Sequence, residues 1–263
     1  MTEKIILHSP QSRLEGKVSL ITGAASGLGE SYARLFYKHG AKLILADIQD
    51  DLGLKLSHEL GSQSSSFVHC DVTEENDVEN AVNTAVSLYG KLDIMINNAG
   101  ILGSLTTNIV QTEKSDFERI LSTNLVGVFL GTKHAARVMI PNRSGVIIST
   151  GSVAGSLGGL GPYGYTCSKH ALVGLTRNAA VELGEHGIRV NCVSPFIVTT
   201  PLLNTFFNVD DEGCEKILSD MNIDWMSPEN VAQAVLFLAS EDSKFVNGHN
   251  LMIDGGFMAL QKI

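Results

Sequence analysis

Short runs rich in apolar and β-branched residues alternate with longer helical patterns along nearly the whole chain. The apolar runs predict seven strands, at residues 17–21, 42–46, 66–70, 92–96, 145–150, 189–193 and 250–253. Helical patterns lie between them, among others at residues 29–39, 74–89, 117–140, 163–183 and 228–238. Strands that alternate strictly with helices build right-handed β-α-β units. The sequence therefore predicts an α/β fold with one doubly wound, parallel, seven-stranded sheet.

Length and charge predict one domain without a basic binding face. The 263 residues show no internal boundary, and α/β domains of this length often stay undivided. We predict a single domain over residues 1–263, with an N-terminal tail at residues 1–13.

The formal charge of −9 disfavours nucleic acid and anionic membranes as partners. No apolar stretch has the length of a membrane span, and the first sixteen residues lack the order of a secretory signal, which predicts a cytoplasmic protein.

The four cysteines are scattered along the chain. Cys70, Cys167, Cys192 and Cys214 form no C-x-x-C pair and have no histidine nearby at ligand spacing. We interpret them as reduced, mostly buried thiols, and we predict no metal site.

A glycine-rich turn at residues 22–29 follows the first predicted strand and opens the first predicted helix. Its glycines let the backbone turn tightly and approach a ligand, and the first N–H groups of the helix favour a negative charge such as a pyrophosphate. The spacing is G-x-x-x-G-x-G, which differs from the G-x-G-x-x-G of the standard dinucleotide fingerprint of Rossmann-type folds. The alternative is a plain strand-to-helix turn. The residues predicted to contact the cofactor here are Gly23, Ser26, Gly27, Leu28 and Gly29.

Asp47 follows directly after the second predicted strand, 24 residues after Gly23. This is close to the separation at which a carboxylate meets the ribose 2′-hydroxyl of NAD, and the same carboxylate would repel a 2′-phosphate. No Arg or Lys lies in the glycine turn or just after Asp47, so the sequence predicts NAD rather than NADP. The alternative is an aspartate that starts a turn.

Further polar residues follow other strands, at the carboxyl edge where such sheets bind ligands. Asp71 and Val72 follow the third predicted strand and are candidates to line an adenine pocket. Aspartate is also a common first residue of helices, which is the alternative for Asp71.

Tyr165 and Lys169 lie four residues apart in a predicted helix, so both side chains project from one face. An ammonium beside a phenol lowers the pKa of the phenol, and such a tyrosine is a usable acid and base for an alcohol–carbonyl pair. The alternative is an exposed pair on a helix surface.

Two more polar residues are candidates for the same site. Ser152 lies thirteen residues before Tyr165, just past the fifth predicted strand, where its hydroxyl can hydrogen-bond a substrate oxygen. Its alternative is a loop serine in a turn rich in Ser and Gly. Asn124 precedes an apolar helical run, and its alternative is a buried amide that bridges backbone groups.

Taken together, in the order in which they occur along the chain, the motifs resemble those of the short-chain dehydrogenases/reductases over residues 14–257. They are Thr22-Gly23-x-x-x-Gly27-x-Gly29, Asn97-Asn98-Ala99-Gly100, Asn124, Ser152, Tyr165-x-x-x-Lys169 and Asp254-Gly255-Gly256. The resemblance implies that Ser152 and Tyr165 bind the reacting oxygen and that Tyr165 transfers its proton. It implies that Lys169 holds the nicotinamide ribose and lowers the pKa of Tyr165, and that Asn124 anchors a water of the proton relay. It also adds Asn98 to the cofactor-binding residues.

More narrowly, the chain is similar to the plant short-chain dehydrogenases of specialised metabolism. This group includes secoisolariciresinol dehydrogenases, xanthoxin dehydrogenases and nepetalactol-related enzymes, and the similarity lies at residues 69–72, 133–139, 182–191 and 253–256. The resemblance implies a lignan-like or terpenoid-like substrate, NAD, and a homotetramer that pairs the helices near residues 117–140 and 163–183.

The segment after the sixth predicted strand departs from the family pattern. Phe196 stands where the family usually has Gly, so either the turn is reshaped or Phe196 takes an ordinary conformation, and its ring is expected to narrow the nicotinamide end of the pocket. The family's cofactor contact falls on Val198 and Thr200. Residues 198–226 correspond to the family's substrate lid, and apolar side chains at 201–207 and 221–226 favour a small hydrophobic substrate.

Two functions are consistent with these motifs. The main hypothesis is NAD-dependent oxidation of a secondary alcohol or lactol of a small terpenoid-like molecule, nepetalactol among the candidates, with Tyr165 as the acid and base. The alternative is a cyclase or isomerase that keeps NAD as a structural cofactor and folds a reactive dialdehyde or enol.

Overall fold

The computed structural model describes residues 12–220 and 225–260, and seven parallel strands form one sheet in it. The strands are β1 Val18–Thr22, β2 Lys42–Asp47, β3 Ser65–His69, β4 Ile94–Asn97, β5 Gly145–Thr150, β6 Ile188–Pro195 and β7 Asn250–Ile253. Their order across the sheet is β3-β2-β1-β4-β5-β6-β7, and every pairing is parallel. This arrangement confirms the predicted doubly wound, Rossmann-type fold.

Helices cover both faces of the sheet. Within the described residues they are α1 Gly27–Lys38, α2 Asp50–Leu60, α3 Glu75–Tyr89, α4 Lys114–Leu121, α5 Gly127–Met139, α6 Tyr163–Gly184, α7 Pro201–Phe207, α8 Asp211–Asp220 and α9 Pro228–Ala239. Successive strand residues point to opposite faces, so Ile21 packs with α1, α2 and α9, whereas Leu20 packs with α3, α5 and α6. Every residue of the central strands β1 and β4 is buried, because helices cover both faces.

The helix predicted at residues 117–140 is interrupted in the structure. A π-helical segment, Ser122–Val126, separates α4 from α5 without a break in the chain direction. Such wide turns occur often at functional sites, and Asn124 lies in this one. Helix α2 was not among the helical patterns named from the sequence. Strand β6 begins one residue before and ends two residues after the predicted strand.

Two predicted segments lie partly outside the described residues. These are the N-terminal tail, of which residues 1–11 are not described, and the lid, of which residues 221–224 are not described. Helices α7 and α8 form the described part of the lid range. Of the four cysteines, Cys167 is exposed and the other three are buried, and none of the four forms a disulfide. No helix in residues 12–220 or 225–260 is both long and apolar enough to cross a membrane.

Candidate active site

The glycine turn depends on close packing that side chains would disrupt. Gly23 has φ +62°, and a Cβ on it would lie 2.8 Å from the Cα of Ala99. A Cβ on Gly29 would lie 1.9 Å from the carbonyl oxygen of Gly23. Gly27 has φ +55° and faces Thr200, whose Cβ would lie 3.5 Å from a Cβ on Gly27. The turn therefore presents bare backbone at the carboxyl edge of β1.

Side chains after β4 hold this turn in place. The hydroxyl of Thr22 accepts hydrogen bonds from the backbone N–H groups of Asn98 at 3.0 Å and Ala99 at 3.1 Å. The Asn98 amide in turn donates to the carbonyl oxygens of Thr22 at 3.0 Å and Gly23 at 3.1 Å. Asn98 thus braces the turn through its amide, and its predicted contact with the cofactor stays a prediction.

The residues around the turn fit a dinucleotide. Ser26 precedes α1 and makes no capping hydrogen bond through its side chain, so the first N–H groups of α1 are available to a pyrophosphate. Asp47 lies beside them as a buried carboxylate that accepts hydrogen bonds from Ala25 N at 2.9 Å and Gln49 N at 3.0 Å. Leu28 packs against the core behind the turn. A backbone cradle for phosphate and a carboxylate for ribose hydroxyls stand next to each other.

Asp71 and Val72 follow β3 on the same edge. The Asp71 carboxylate accepts hydrogen bonds from the backbone N–H of Thr73 at 2.9 Å and from the Thr73 hydroxyl at 2.7 Å, which is the local turn that precedes α3. Val72 is buried against Gly127, where a Cβ would lie 2.8 Å from Val72 Cγ2. Their position suits an adenine pocket, and the contact itself stays a prediction.

Asn124 is completely buried in the π-helical segment. Its Oδ1 accepts a hydrogen bond from Ile101 N at 2.8 Å, and its Nδ2 donates to Ile101 O at 2.8 Å and to Ser168 Oγ at 3.2 Å. The amide thus bridges backbone groups, as the structural alternative expected, and it also reaches α6 one residue before Lys169. The sequence analysis missed Ser168, although its place on the helix of Tyr165 and Lys169 was a signal.

Ser152, Tyr165 and Lys169 come together where β5 ends and α6 begins. The Ser152 hydroxyl accepts a hydrogen bond from Ala154 N at 3.1 Å and lies close enough to the Tyr165 phenol to lower its pKa. The Lys169 ammonium donates to the carbonyl oxygen of Thr150 at 2.7 Å and lies 5.5 Å from the centre of the Tyr165 ring. Tyr163, two residues before Tyr165, has 37% of its surface exposed.

The pKa values in this cluster correct one expectation. Burial raises the pKa of Tyr165, and the hydrogen bond with Ser152 only partly opposes this. The net lowering predicted for this pKa is therefore wrong, because desolvation of the phenolate outweighs the favourable effect of the Lys169 ammonium, which lies over the ring. Burial also lowers the pKa of Lys169, to about 8.

The segment after β6 borders the turn. Phe196 does not have a positive φ, so it takes an ordinary conformation, and its ring stacks on Phe257 with 4.0 Å between the centroids. The expected narrowing of the nicotinamide end of the pocket by the Phe196 ring stays a prediction. Val198 is buried, and Thr200 packs against Gly27 just before α7. The predicted cofactor contacts of Val198 and Thr200 remain predictions.

A glycine turn with bare backbone, a buried carboxylate and a Ser-Tyr-Lys cluster thus share one edge of the sheet, which is the arrangement expected of a dinucleotide-dependent oxidoreductase. The family model described as enoyl-(acyl carrier protein) reductase matches residues 23–258. Borneol dehydrogenase, mitochondrial, of Lavandula x intermedia is 62% identical over 244 residues, which are 93% of this chain and 91% of that protein. Secoisolariciresinol dehydrogenase of Forsythia intermedia is 51% identical over 262 residues, which are 98% of this chain and 95% of that protein.

A solved structure extends the likeness to the cofactor. The 3-ketoacyl-(acyl-carrier-protein) reductase of Brucella melitensis, complexed with NADH, has a TM-score of 0.84 and 34% identity, covering 92% of this chain and 98% of that chain. This chain belongs to the short-chain dehydrogenase/reductase family, in its plant group of specialised metabolism. It is an oxidoreductase that uses a nicotinamide cofactor.

Proposed function

We propose that this enzyme uses NAD to oxidise the secondary hydroxyl group of a small, hydrophobic, terpenoid-like alcohol or lactol. The observation that carries the proposal is the cluster of Ser152, Tyr165 and Lys169 beside the glycine turn. The 62% identity with a borneol dehydrogenase supports a monoterpenoid substrate and makes borneol the first compound to test. Lactols such as nepetalactol are the second group of candidates.

In this proposal each residue of the cluster has one task. Ser152 hydrogen-bonds the substrate hydroxyl, and Tyr165 takes its proton as the general base. Lys169 holds the nicotinamide ribose and supplies positive charge to the tyrosine. Bound NAD supplies the acceptor for the hydride of the carbinol carbon. Asn124 hydrogen-bonds the backbone of Ile101 and the hydroxyl of Ser168, the residue before Lys169 on α6, and so links the cluster to Ile101.

The choice of NAD over NADP is part of the proposal and depends on Asp47. Its buried carboxylate accepts hydrogen bonds from Ala25 N in the glycine turn and from Gln49 N, two residues after Asp47. A 2′-phosphate near this carboxylate would be repelled, and the sequence has no Arg or Lys in residues 22–29 to compensate.

We propose that residues 198–226 form the substrate lid. The two ends of this range are joined, because Thr199 N donates to Met226 O at 3.2 Å and Met226 N donates to Ile197 O at 3.0 Å. Between them, the apolar side chains of Leu202 and Trp225 remain exposed. A loop closed at its base that carries exposed apolar side chains suits a hydrophobic substrate.

We also propose that the protein assembles as a homotetramer through α5, α6 and the adjoining π-helical segment. Exposed apolar side chains support this interface, namely Val126 with 44%, Phe129 with 49% and Val181 with 76% of their surface exposed. Light scattering on the purified protein tests the assembly, and a Val181→Glu variant that stays in the same assembly contradicts the interface.

The expected cytoplasmic location stays a prediction, which the localisation of a fluorescent fusion tests.

The decisive experiment separates oxidation from cyclisation. The purified protein is incubated with NAD or NADP and with borneol, other monoterpenoid alcohols, lactols or dialdehydes, while reduced cofactor is followed by absorbance and products by chiral chromatography. The proposal expects a ketone or lactone with one NADH per product and a preference for NAD. Product without reduced cofactor would instead support the cyclase, in which NAD is structural.

A further inference from the structure

Thr150 lies at the end of β5 and makes two hydrogen bonds to different parts of the site. Its carbonyl oxygen accepts a buried hydrogen bond from the Lys169 ammonium at 2.7 Å. Its hydroxyl donates to Asn98 Oδ1 at 3.2 Å, and this bond is partly buried. Thr150 itself is buried, so water has limited access to both bonds.

Asn98 continues the connection to the glycine turn. The amide nitrogen of the same side chain donates to the carbonyl oxygens of Thr22 and Gly23, at 3.0 and 3.1 Å. Rotation of the Asn98 amide would break these bonds and the bond from Thr150 together. The position of Thr150 and the position of the turn are therefore linked through one rigid side chain.

We propose that Thr150 is a positioning residue that couples the glycine turn to Lys169. The inference rests on the proposed function, because it assigns Lys169 to the cofactor ribose. An anion in the turn restrains Asn98, Asn98 restrains the Thr150 hydroxyl, and the Thr150 carbonyl holds the Lys169 ammonium in place. Cys192 interacts electrostatically with Lys169. Burial raises the pKa of the Cys192 thiol to about 11, so the thiol stays neutral near neutral pH.

The test uses Thr150→Val, which keeps the shape and removes the hydroxyl, and Thr150→Ser, which restores it. Thr132→Val is the matched control, because Thr132 is also buried and accepts a hydrogen bond from Asn97 Nδ2 at 3.3 Å, on the α5 side of the same sheet edge. NAD dissociation constants are measured by calorimetry without substrate, so the result does not depend on turnover. A wild-type protein that binds no NAD contradicts the proposed function instead.

Thr150→Val is expected to weaken NAD binding about fivefold to tenfold, the effect of one buried hydrogen bond, whereas Thr150→Ser and Thr132→Val stay within about twofold of the wild type. In a Lys169→Met background, Thr150→Val is expected to weaken binding much less, because both changes act on the same contact. The coupling would be overturned if the effects of Thr150→Val and Lys169→Met on NAD binding were additive. It would also be overturned if Thr132→Val weakened NAD binding as much as Thr150→Val does.

Turnover provides an independent check. If Lys169 is held less firmly over Tyr165, the phenolate is stabilised less, and the pH at which kcat is half-maximal moves upward in Thr150→Val. Thr150→Ser is expected to restore the profile of the wild type. A kcat profile that is lower but unshifted in pH would show that the substitution only damages the structure, and this also contradicts the proposal.

Discussion

The Cα of Gly29 faces the carbonyl oxygen of Gly23 so closely that a Cβ on Gly29 would lie 1.9 Å from that oxygen. The same Cβ would lie 2.8 Å from Asn98 Nδ2, which holds the turn. Neither neighbour is the free end of a flexible side chain. The first turn of α1 can therefore approach a pyrophosphate only while residue 29 has no side chain.

Gly29→Ala is expected to destabilise the protein by about 1–3 kcal/mol, because the methyl group forces the turn or Asn98 to move. NAD binding is expected to be lost or weakened at least as strongly. Gly174→Ala is the control, since Gly174 lies inside α6 with nothing within 4 Å of the added methyl group. Thermal unfolding and NAD titration of both variants measure the difference. An equal effect at the two glycines would contradict the close packing at Gly29.

Tyr165→Phe removes one hydroxyl group and keeps the ring. Turnover is expected to fall by about 10²-fold to 10⁴-fold, the usual contribution of a general acid or base, while NAD still binds. Tyr163→Phe is the matched control on the same helix, because the Tyr163 side chain is partly exposed and lies outside the cluster. Initial rates and NAD titrations of both variants test this. A Tyr165→Phe enzyme with near-normal turnover would exclude Tyr165 as the base.

Asp47→Ser removes the carboxylate at the end of β2. The ratio of the NADP and NAD dissociation constants is expected to shift at least about tenfold toward NADP, or about 1.4 kcal/mol, because the repulsion of a 2′-phosphate is lost. Asp51→Ser, an exposed acid in the first turn of α2, controls for the change in net charge. The two constants are measured by titration for each variant. If Asp51→Ser changes the ratio as much, the effect comes from overall charge and not from Asp47.

Lys169 gives the stability a defined dependence on pH. Burial lowers its pKa in the folded state to about 8, below the ordinary value of 10.5, so above pH 8 the unfolded chain binds more protons than the folded protein at this site. The free energy of unfolding of the wild type is therefore expected to rise with pH relative to Lys169→Met, by at most about 1.4 kcal/mol per pH unit.

The difference is expected to build up between pH 8 and pH 10.5, the folded and ordinary pKa values of Lys169. Burial raises the pKa values of the Cys70 and Cys192 thiols to about 12 and about 11, but both proteins contain these thiols, so their opposite effect on stability largely cancels in the comparison. Urea unfolding at several pH values measures the difference, and Lys55→Met, on the exposed side of α2, serves as the control. A difference between wild type and Lys169→Met that is constant over this window would contradict the lowered pKa.

The fold could be predicted because its signals are local. The alternation of buried strands with helices identified all seven strands of the sheet and most of the helices, since each central strand is covered on both faces and is mostly apolar. Helix α2 escaped because its first residues, Asp50 and Asp51, are typical of turns and lie only three and four residues after Asp47. Its N-cap residue, Gln49, makes no capping hydrogen bond through its side chain, so the usual signal is missing.

The contacts within the site were harder to predict, because they depend on where each side chain points. Spacing placed Lys169 on the same helix face as Tyr165, but it did not show that the ammonium would donate to the Thr150 carbonyl and stand over the ring. Nor did it show that burial would dominate the pKa of Tyr165. These features arise from contacts between β5 and α6, which depend on the tertiary packing rather than on local sequence.

The π-helical segment that holds Asn124 joins α4 to α5. A π-helical turn holds about one residue more than an α-helical turn, so removing one residue here would let α4 and α5 join as one regular helix with the direction of the α5 side chains nearly unchanged. Such a deletion would instead remove the wide turn that carries Asn124 and its hydrogen bonds to Ile101 and Ser168. The additional residue therefore serves the placement of one amide and not the packing of the helix that follows.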